Sequence, residues 1–305
     1  MKPEQPLISL VILTRNRSGL LVRAVRSALG QTYAHTEVVI IDDCSEDDTQ
    51  EVLRMVFADE IATEKVRIVR NESTLGQAAN RNLSLDLSRG SLISYLDDDD
   101  FWFPDKIERQ HEEMLKSGAK AATCGMIWME GPTILKTTLV RSDTVAFENG
   151  GPPSTWLIDK EVMREVGGFD LAFPANVDGE FLVRLNKNYS FCYAEEPLYV
   201  HFYFPEQISA SAQRKVAGYA QMVVKHGAGF SKAEFSAAYS RLAVFSLFAG
   251  EKGRHYAYKA LRARASLKNL VLALVFTLPA PLTRTIVNVI LDLQNYPHGY
   301  IGRHG

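Results

Sequence analysis

Residues 91–104 read SLISYLDDDDFWFP: a strand-like run, four aspartates in succession (Asp97, Asp98, Asp99, Asp100), three aromatics and a proline. The run at 91–96 predicts a buried strand, and the aspartates then stand at its carboxyl end. Upstream, residues 7–13 (LISLVIL) form a continuous apolar run, the mark of a strand covered on both faces. Residues 37–41 (EVVII) and 66–69 predict two more strands. A helix with Ser18 as N-cap carries Leu20, Leu21, Ala24, Val25 and Ala28 as far as Gly30; others are expected over 47–57 and over 75–87, before Gly90. Strands separated by helices of this length predict βαβ units with right-handed crossovers and a mostly parallel sheet.

Downstream the rhythm changes. Pro104 opens a helix to about residue 116, and strand-like stretches follow at 121–129 and 133–140. Gly150, Gly151, Pro152 and Pro153 mark a loop before a short helix at 160–166, which Gly167 and Gly168 end. A helix over 178–186 precedes strands at 191–194 and 198–204. From residue 206 the pattern is helical, with pauses at 227–229, 250–253 and 279–281. No internal repeat or low-complexity segment stands out.

The 305 residues are 46% apolar and 23% charged, ordinary globular usage that excludes a disordered or fibrous chain. Three scattered cysteines (Cys44, Cys124, Cys192) offer neither a disulfide framework nor metal-ligand spacing, so a reducing, cytoplasmic compartment is expected. The first residues read as neither a secretory signal nor a membrane span. A net charge of −2 argues against a nucleic-acid binder, yet it is unevenly spread: residues 251–305 carry +6 and residues 1–250 carry −8.

In an open α/β sheet, ligands bind beyond the carboxyl ends of the strands. Three of the expected strands end there in polar clusters: Thr14-Arg15-Asn16-Arg17, Asp42-Asp43-Cys44-Ser45 and the four aspartates. Adjacent carboxylates repel one another unless a cation or solvent neutralises them. A run that follows a buried strand and precedes Phe101-Trp102-Phe103 is poorly placed to be a solvated helix face, so a hard cation such as Mg²⁺ or Mn²⁺ is expected. Neither G-x-G-x-x-G after the first strand nor G-x-x-x-x-G-K-[ST] is present, which removes the main support for dinucleotide oxidoreductases and P-loop NTPases. A metal on the acidic loop would do the work of the missing phosphate-cradling glycines.

The succession SLVILTRNR, VVIIDDCSEDDT, NESTLGQAANRN, SYLDDDDFWFPDKI and EVGGFD resembles the family 2 glycosyltransferases of GT-A fold over roughly residues 7–204. The resemblance implies an α/β, Rossmann-like nucleotide-binding sheet flanked by helices, with a C-terminal helical extension. It implies an inverting transfer of a sugar from a nucleotide-sugar donor, UDP by default, assisted by Mn²⁺ or Mg²⁺. Residues 1–204 would form the catalytic domain, with a nucleotide-binding half (1–100) and an acceptor half (101–204), and 205–305 the helical region. By position, Thr14, Arg15, Asn16, Asp42, Asp43, Arg81, Asp97 and Asp98 fall on nucleotide-binding sites, with Asp43 facing the base. Asp97 and Asp99 form the D-x-D motif that holds the metal, and His201 is a further candidate ligand. Asp178 falls on the catalytic base, with Glu180, two residues on, as its rival; Val177 departs from the Glu that relatives often carry just before the base. Asp42, Asp43 and Asp178 also have plainer readings as turn and helix caps.

Residues 270–278 form an apolar stretch of about nine, far short of the roughly 20 needed to span a bilayer. Lys259, Arg262, Arg264 and Lys268 adjoin it, the make-up of an interfacial helix. Peripheral contact with the cytoplasmic face of the inner membrane is therefore expected, packing on protein or on a second copy being the alternative. The Q-x-x-R-W signature of processive synthases is absent, so addition of one sugar to a glycan or lipid-linked acceptor, in cell-surface polysaccharide or lipopolysaccharide synthesis, is expected. The rival readings are a sugar nucleotidyltransferase, which would want a glycine-rich basic first loop, and a catalytically silent nucleotide- or glycan-binding module.

Overall fold

The computed structural model describes residues 5–138, 150–203 and 211–293. Strands β1 (Ile8–Thr14), β2 (Thr36–Asp42), β3 (Val66–Arg70) and β4 (Leu92–Asp97) are parallel, in the order β3-β2-β1-β4. Alternation across the pleat sends Ile8, Leu10 and Ile12 of β1, with Val38 and Ile40 of β2, into one core beside Leu21, Ala24, Val25 and Ala28 of α1 (Ser18–Leu29). Val11, Val39 and Ile41 point the other way, into a core that includes Leu85 of α4 (Gln77–Leu87). Covered on both faces, these strands need the unbroken apolar runs seen in the sequence.

Beyond β4 the sheet continues through β8 (Leu157–Asp159), β6 (Ala121–Glu130), β9 (Phe191–Phe202) and β5 (Phe101–Trp102), while β7 (Thr133–Thr138) pairs with β6. Here β8 is antiparallel to both neighbours and β6 is parallel to β9, so the sheet is mixed rather than uniformly parallel. The remaining helices of this part are α2 (Thr49–Val56), α3 (Ala58–Ala62), α5 (Lys106–Ser117), α6 (Lys160–Glu165) and α7 (Val177–Leu185).

Several local expectations change. Ser18 is not the N-cap of α1; that position belongs to Arg17, whose side chain reaches the aspartate loop instead of capping. The single helix expected over 47–57 becomes α2 and α3, divided at the buried Phe57. The two strands expected over 191–194 and 198–204 are one, β9, whose register against β6 shifts around Gly125, opposite Pro197. Proline donates nothing to a ladder, and a local irregularity absorbs it. Residue 204, residues 139–140 of the expected strand 133–140 and the start of the expected 206-onward helix lie outside the described residues. Gly90 follows α4 because a Cβ there would lie 2.6 Å from the Leu7 carbonyl oxygen.

Helices α8 (Ala212–His226), α9 (Lys232–Phe248), α10 (Arg254–Ala263), α11 (Leu267–Val275) and α12 (Ala280–Leu293) follow. Ser231 and Glu234 close a capping box on α9. Met222, Leu242, Ala243 and Phe248 share a third core with Phe173 and with Val183 of α7. Gly218 of α8 lies so close to the segment before α7 that a Cβ would meet the Ala175 carbonyl oxygen at 2.3 Å. Among the described residues no helix is long and apolar enough to cross a membrane.

Candidate active site

The parallel register sets Thr14 beside Asp42, and Leu13 beside Asp97, so the carboxyl ends of β2, β1 and β4 lie in one row. The aspartate run turns immediately after β4, with the Asp100 amide donating to the Asp97 carbonyl at 3.1 Å. Each of the four side chains then meets a different environment.

Asp98 accepts from the Thr14 hydroxyl at 2.8 Å and from the Arg17 guanidinium at 3.1 Å. Burial pushes its carboxyl up to about 6, against the pull of Arg17 and Thr14. Asp99 takes Arg17 at 2.7 Å, and its backbone carbonyl accepts from Arg23. Burial and the Asp100 charge raise Asp99 too, although Arg17 opposes them. Asp97 lies 3.8 Å from Arg81 and keeps a third of its side chain open. Burial raises it, Arg81 lowers it, and the charges of Asp100, Asp99 and Asp178 add to the rise. Asp100 is fully buried and structural: it accepts from Tyr199 Oη, from His201 Nδ1 at 3.1 Å and from the Phe202 amide at 2.9 Å. It thereby fastens the loop to β9.

Arg81 joins the two halves of the chain. It rises from α4, is almost wholly buried, and pairs with Asp97 and with Asp178 of α7. Burial works against its charge, and the two carboxylates outweigh that, holding the guanidinium ionised. Its Nε has no hydrogen-bond partner. Phe169 lies 5.3 Å and Tyr95 5.9 Å from the guanidinium, and Phe169 stacks on Phe181 at 4.7 Å and on Trp156 at 6.5 Å. Trp156 is core, as is Trp102, whose Nε1 donates to the Ser154 carbonyl at 2.8 Å.

The structure thus assembles Thr14, Asp97, Asp98, Asp99, Arg81 and Asp178. Arg15 is exposed at the loop. Asn16 stands at φ 53° and ties the first loop to the second: its amide donates to Ser45 Oγ at 2.9 Å and its Oδ1 accepts from the Glu46 amide at 2.7 Å. Asp42 is fully buried and turned inward, accepting from the Ser45 amide at 2.8 Å and from Gln50 at 2.6 Å. Asp43 holds the segment before α4 through Asn71 at 2.9 Å and the amides of Leu75 at 2.7 Å and Gly76 at 2.9 Å. Burial alone would raise its carboxyl, and these donors together with Asn80 hold it below the usual range. Glu180 is fully buried facing α8, bound by Arg184 at 2.7 Å, Lys225 at 2.8 Å and His226 at 2.9 Å, a cluster with no ion pair to Arg81. The sequence reading named Arg17 and Asp100 within their polar clusters but gave no individual role to either, nor to Arg23 or Tyr199. Only Arg17 carried a signal, as a cation at a strand end matched to an acidic run at the next.

The donor set fits a hard cation: crowded carboxylates, with the Asp97, Asp98 and Asp99 carboxyls all raised, are stabilised by one. Among the described residues no three His, Cys, Asp or Glu side chains converge into a cage. An ion such as Mg²⁺ commonly takes one or two carboxylates and completes its shell from phosphate and water. His201 presents Nδ1 to Asp100 and to Tyr199 Oη at 3.0 Å, so only Nε2 is left for a cation. Burial opposes its charge but Asp100 raises it, and ligation would require the proton to leave.

Residues 9–146 match the family model described as Glycosyl transferase family 2. An uncharacterized glycosyltransferase of Haemophilus influenzae is 28% identical over 196 residues, covering 61% of this chain and 64% of the relative. A UDP-Glc:alpha-D-GlcNAc-diphosphoundecaprenol beta-1,3-glucosyltransferase of Escherichia coli is 35% identical over 104 residues, covering 34% of this chain and 39% of the relative. The chain therefore spans less than two thirds of the length of these curated relatives. Among solved structures, a mannosyltransferase from Pyrobaculum calidifontis, in complex with GDP-Man and Mn²⁺, superposes with a TM-score of 0.63 at 18% identity, over 97% of this chain and 89% of that one. S. aureus TarS in complex with UDP gives 0.57 at 15% identity, over 88% and 89%. The fold is GT-A, and residues 9–146 of this chain are a family 2 glycosyltransferase domain.

Proposed function

We propose that this protein transfers a single sugar from a nucleotide-sugar donor, most simply a UDP-sugar, to a hydroxyl of a glycan or lipid-linked acceptor, with inversion, in bacterial cell-surface polysaccharide synthesis. Residues 1–204 would do the chemistry and 205–305 would hold the protein near its acceptor at the cytoplasmic face of the membrane. The observation that carries the reading is Arg81, which draws Asp178 from the acceptor half to Asp97 at the end of β4. The E. coli relative named for a UDP-glucose donor and a diphosphoundecaprenol-linked acceptor supports the substrate class.

Sugar transfer builds positive charge at the anomeric carbon while a diphosphate departs. Asp97 and Asp99 would hold Mn²⁺ or Mg²⁺, with His201 as a candidate third ligand, and the metal would stabilise charge on the departing group. Thr14, Arg15, Asn16, Asp43 and Asp98 would line the nucleotide. Asp42, through Ser45 and Gln50, supports the loop that carries Asp43. Asp178, partly open to solvent on its own edge of the site, would take the acceptor hydroxyl's proton. Arg81 orients that carboxylate through their ion pair. One displacement needs one base, which is why a single carboxylate suffices for inversion.

The test is a pair of variants assayed against UDP-sugars and lipid-linked acceptors. Asp178→Asn is expected to retain UDP binding while transfer falls by about 10³-fold, within the usual range for a lost general base. Asp99→Ala is expected to lose Mn²⁺-dependent UDP binding and transfer, with its circular dichroism unchanged. Full activity in Asp178→Asn would overturn the base assignment, and full Mn²⁺ response in Asp99→Ala the metal assignment.

A further inference from the structure

From Lys252 to Leu291 the chain contains seven cations (Lys252, Arg254, Lys259, Arg262, Arg264, Lys268, Arg284) and no acidic residue. This stretch folds into α10, α11 and most of α12. On α11 the buried positions are Asn269 and Ala273, and Phe276 just after the helix is buried as well. Leu267, Leu270, Val271, Leu274 and Leu278 are exposed, Leu267 by 78% and Leu274 by 57%. Leu270, Val271 and Leu274, three, four and seven residues from Leu267, align with it on one side of α11, and Leu278 follows just after the helix. Leu282, Val289 and Ile290 of α12 are exposed as well. Arg262, Arg264 and Lys268 are exposed at the start of the same region.

We infer that the outward side of α11 and α12 docks on an anionic lipid surface, its leucines entering the acyl boundary and its cations meeting the headgroups. Charge selects this occupant. A second copy joined through the same face would set Arg262, Arg264 and Lys268 against a matching set of cations with no carboxylate among them, whereas an anionic bilayer complements all three. A nucleic acid would use the cations but leave the leucine row in water. Asn269 fixes the inner side, its amide donating to Ser236 Oγ at 2.7 Å and to the Arg264 carbonyl at 2.7 Å, so the apolar row is held outward rather than free to roll inward. This assignment names the surface behind the peripheral contact in the proposed function. It also bears on geometry: α8 of the same bundle is packed on α7, the helix that presents Asp178, so the bundle fastens that helix to the docking element.

The full-length protein is co-sedimented with vesicles of phosphatidylcholine alone and of phosphatidylcholine with phosphatidylglycerol, without donor or acceptor. Binding is expected only to the anionic vesicles and is expected to weaken as salt is raised. Leu270→Glu/Leu274→Glu should reduce partitioning by at least about tenfold, the scale of losing two inserted side chains. Arg264→Glu/Lys268→Glu should do so comparably, which guards against a folding defect peculiar to one variant. Transfer to a short, water-soluble acceptor should be unchanged in both. Equal binding to neutral vesicles, undiminished binding by both variants, or a wild-type dimer in gel filtration that the leucine variant dissociates would each overturn the assignment. Because vesicle binding is read without catalysis, its failure leaves the glycosyl-transfer reading standing. Loss of transfer with vesicle binding intact is the converse.

Discussion

Arg17 is the cation paired with the Asp99 carboxylate, and it occupies an oxygen that a metal on Asp99 would use. A guanidinium hydrogen-bonded to carboxylates is worth about 1.5–3 kcal/mol when shielded; at 30% exposure of its side chain this falls to about 1 kcal/mol. Arg17→Ala is therefore expected to bind Mn²⁺ without nucleotide about fivefold more tightly, measured by paramagnetic resonance titration. Affinity equal to or below that of the wild type would show that Arg17 does not compete for the site. At this scale the sequence was informative where chemistry follows from strand ends: Thr14, Asp97, Asp98 and Asp99 can be placed from the apolar runs alone. Arg81 meeting Asp178 could not be, since ninety-seven residues separate them and only the tertiary fold brings them together. Asp42 shows the opposite case, a carboxylate at a strand end whose lone pairs are consumed by its own turn.

Helix α7 carries two acids with opposite fates, and the second ties α7 to α8 of the bundle. Glu180 is surrounded by Arg184, Lys225 and His226, the latter two from α8. Removing one member of a buried ion cluster leaves charges without partners, so Glu180→Gln is expected to destabilise by about 3 kcal/mol in urea unfolding. Burial alone would raise Glu180, but its partners hold it below its ordinary 4.5. Its contribution is thus complete above pH 4.5 and disappears as pH falls through the depressed value. The wild type should lose stability over that acid window more steeply than the variant; parallel curves would mean that the cluster contributes nothing. Element types were largely legible, because apolar periodicity survives in long segments. The two- and three-residue strands β5 and β8 were not, being too short to show a period, and β9 was read as two strands because of Pro197. The exposed row on α11 was visible as composition only; which side faced outward needed the fold.

Across the whole molecule, the parallel half built by β1 to β4 is repeated βα logic, and the sequence reading recovered it. The mixed half was beyond reach, since β6 pairs with β8 and β9, partners that lie about 30 to 80 residues away along the chain. Ligand binding to an assembled site stabilises the fold as a unit. UDP with Mn²⁺ at about a hundred times its Kd is expected to add about 2.7 kcal/mol, a rise in Tm of about 5 °C for a chain of this size. Neither UDP alone nor Mn²⁺ alone should match it, and additive effects of the two in differential scanning would contradict a joint site. Arg81 gives that unit one more property. A single guanidinium answers to carboxylates on opposite sides, and the pull of each sets what remains for the other. With the donor on the Asp97 side and the acceptor on the Asp178 side, as proposed, filling one side would alter the pull on the other through this one shared positive charge, with no movement of the backbone required.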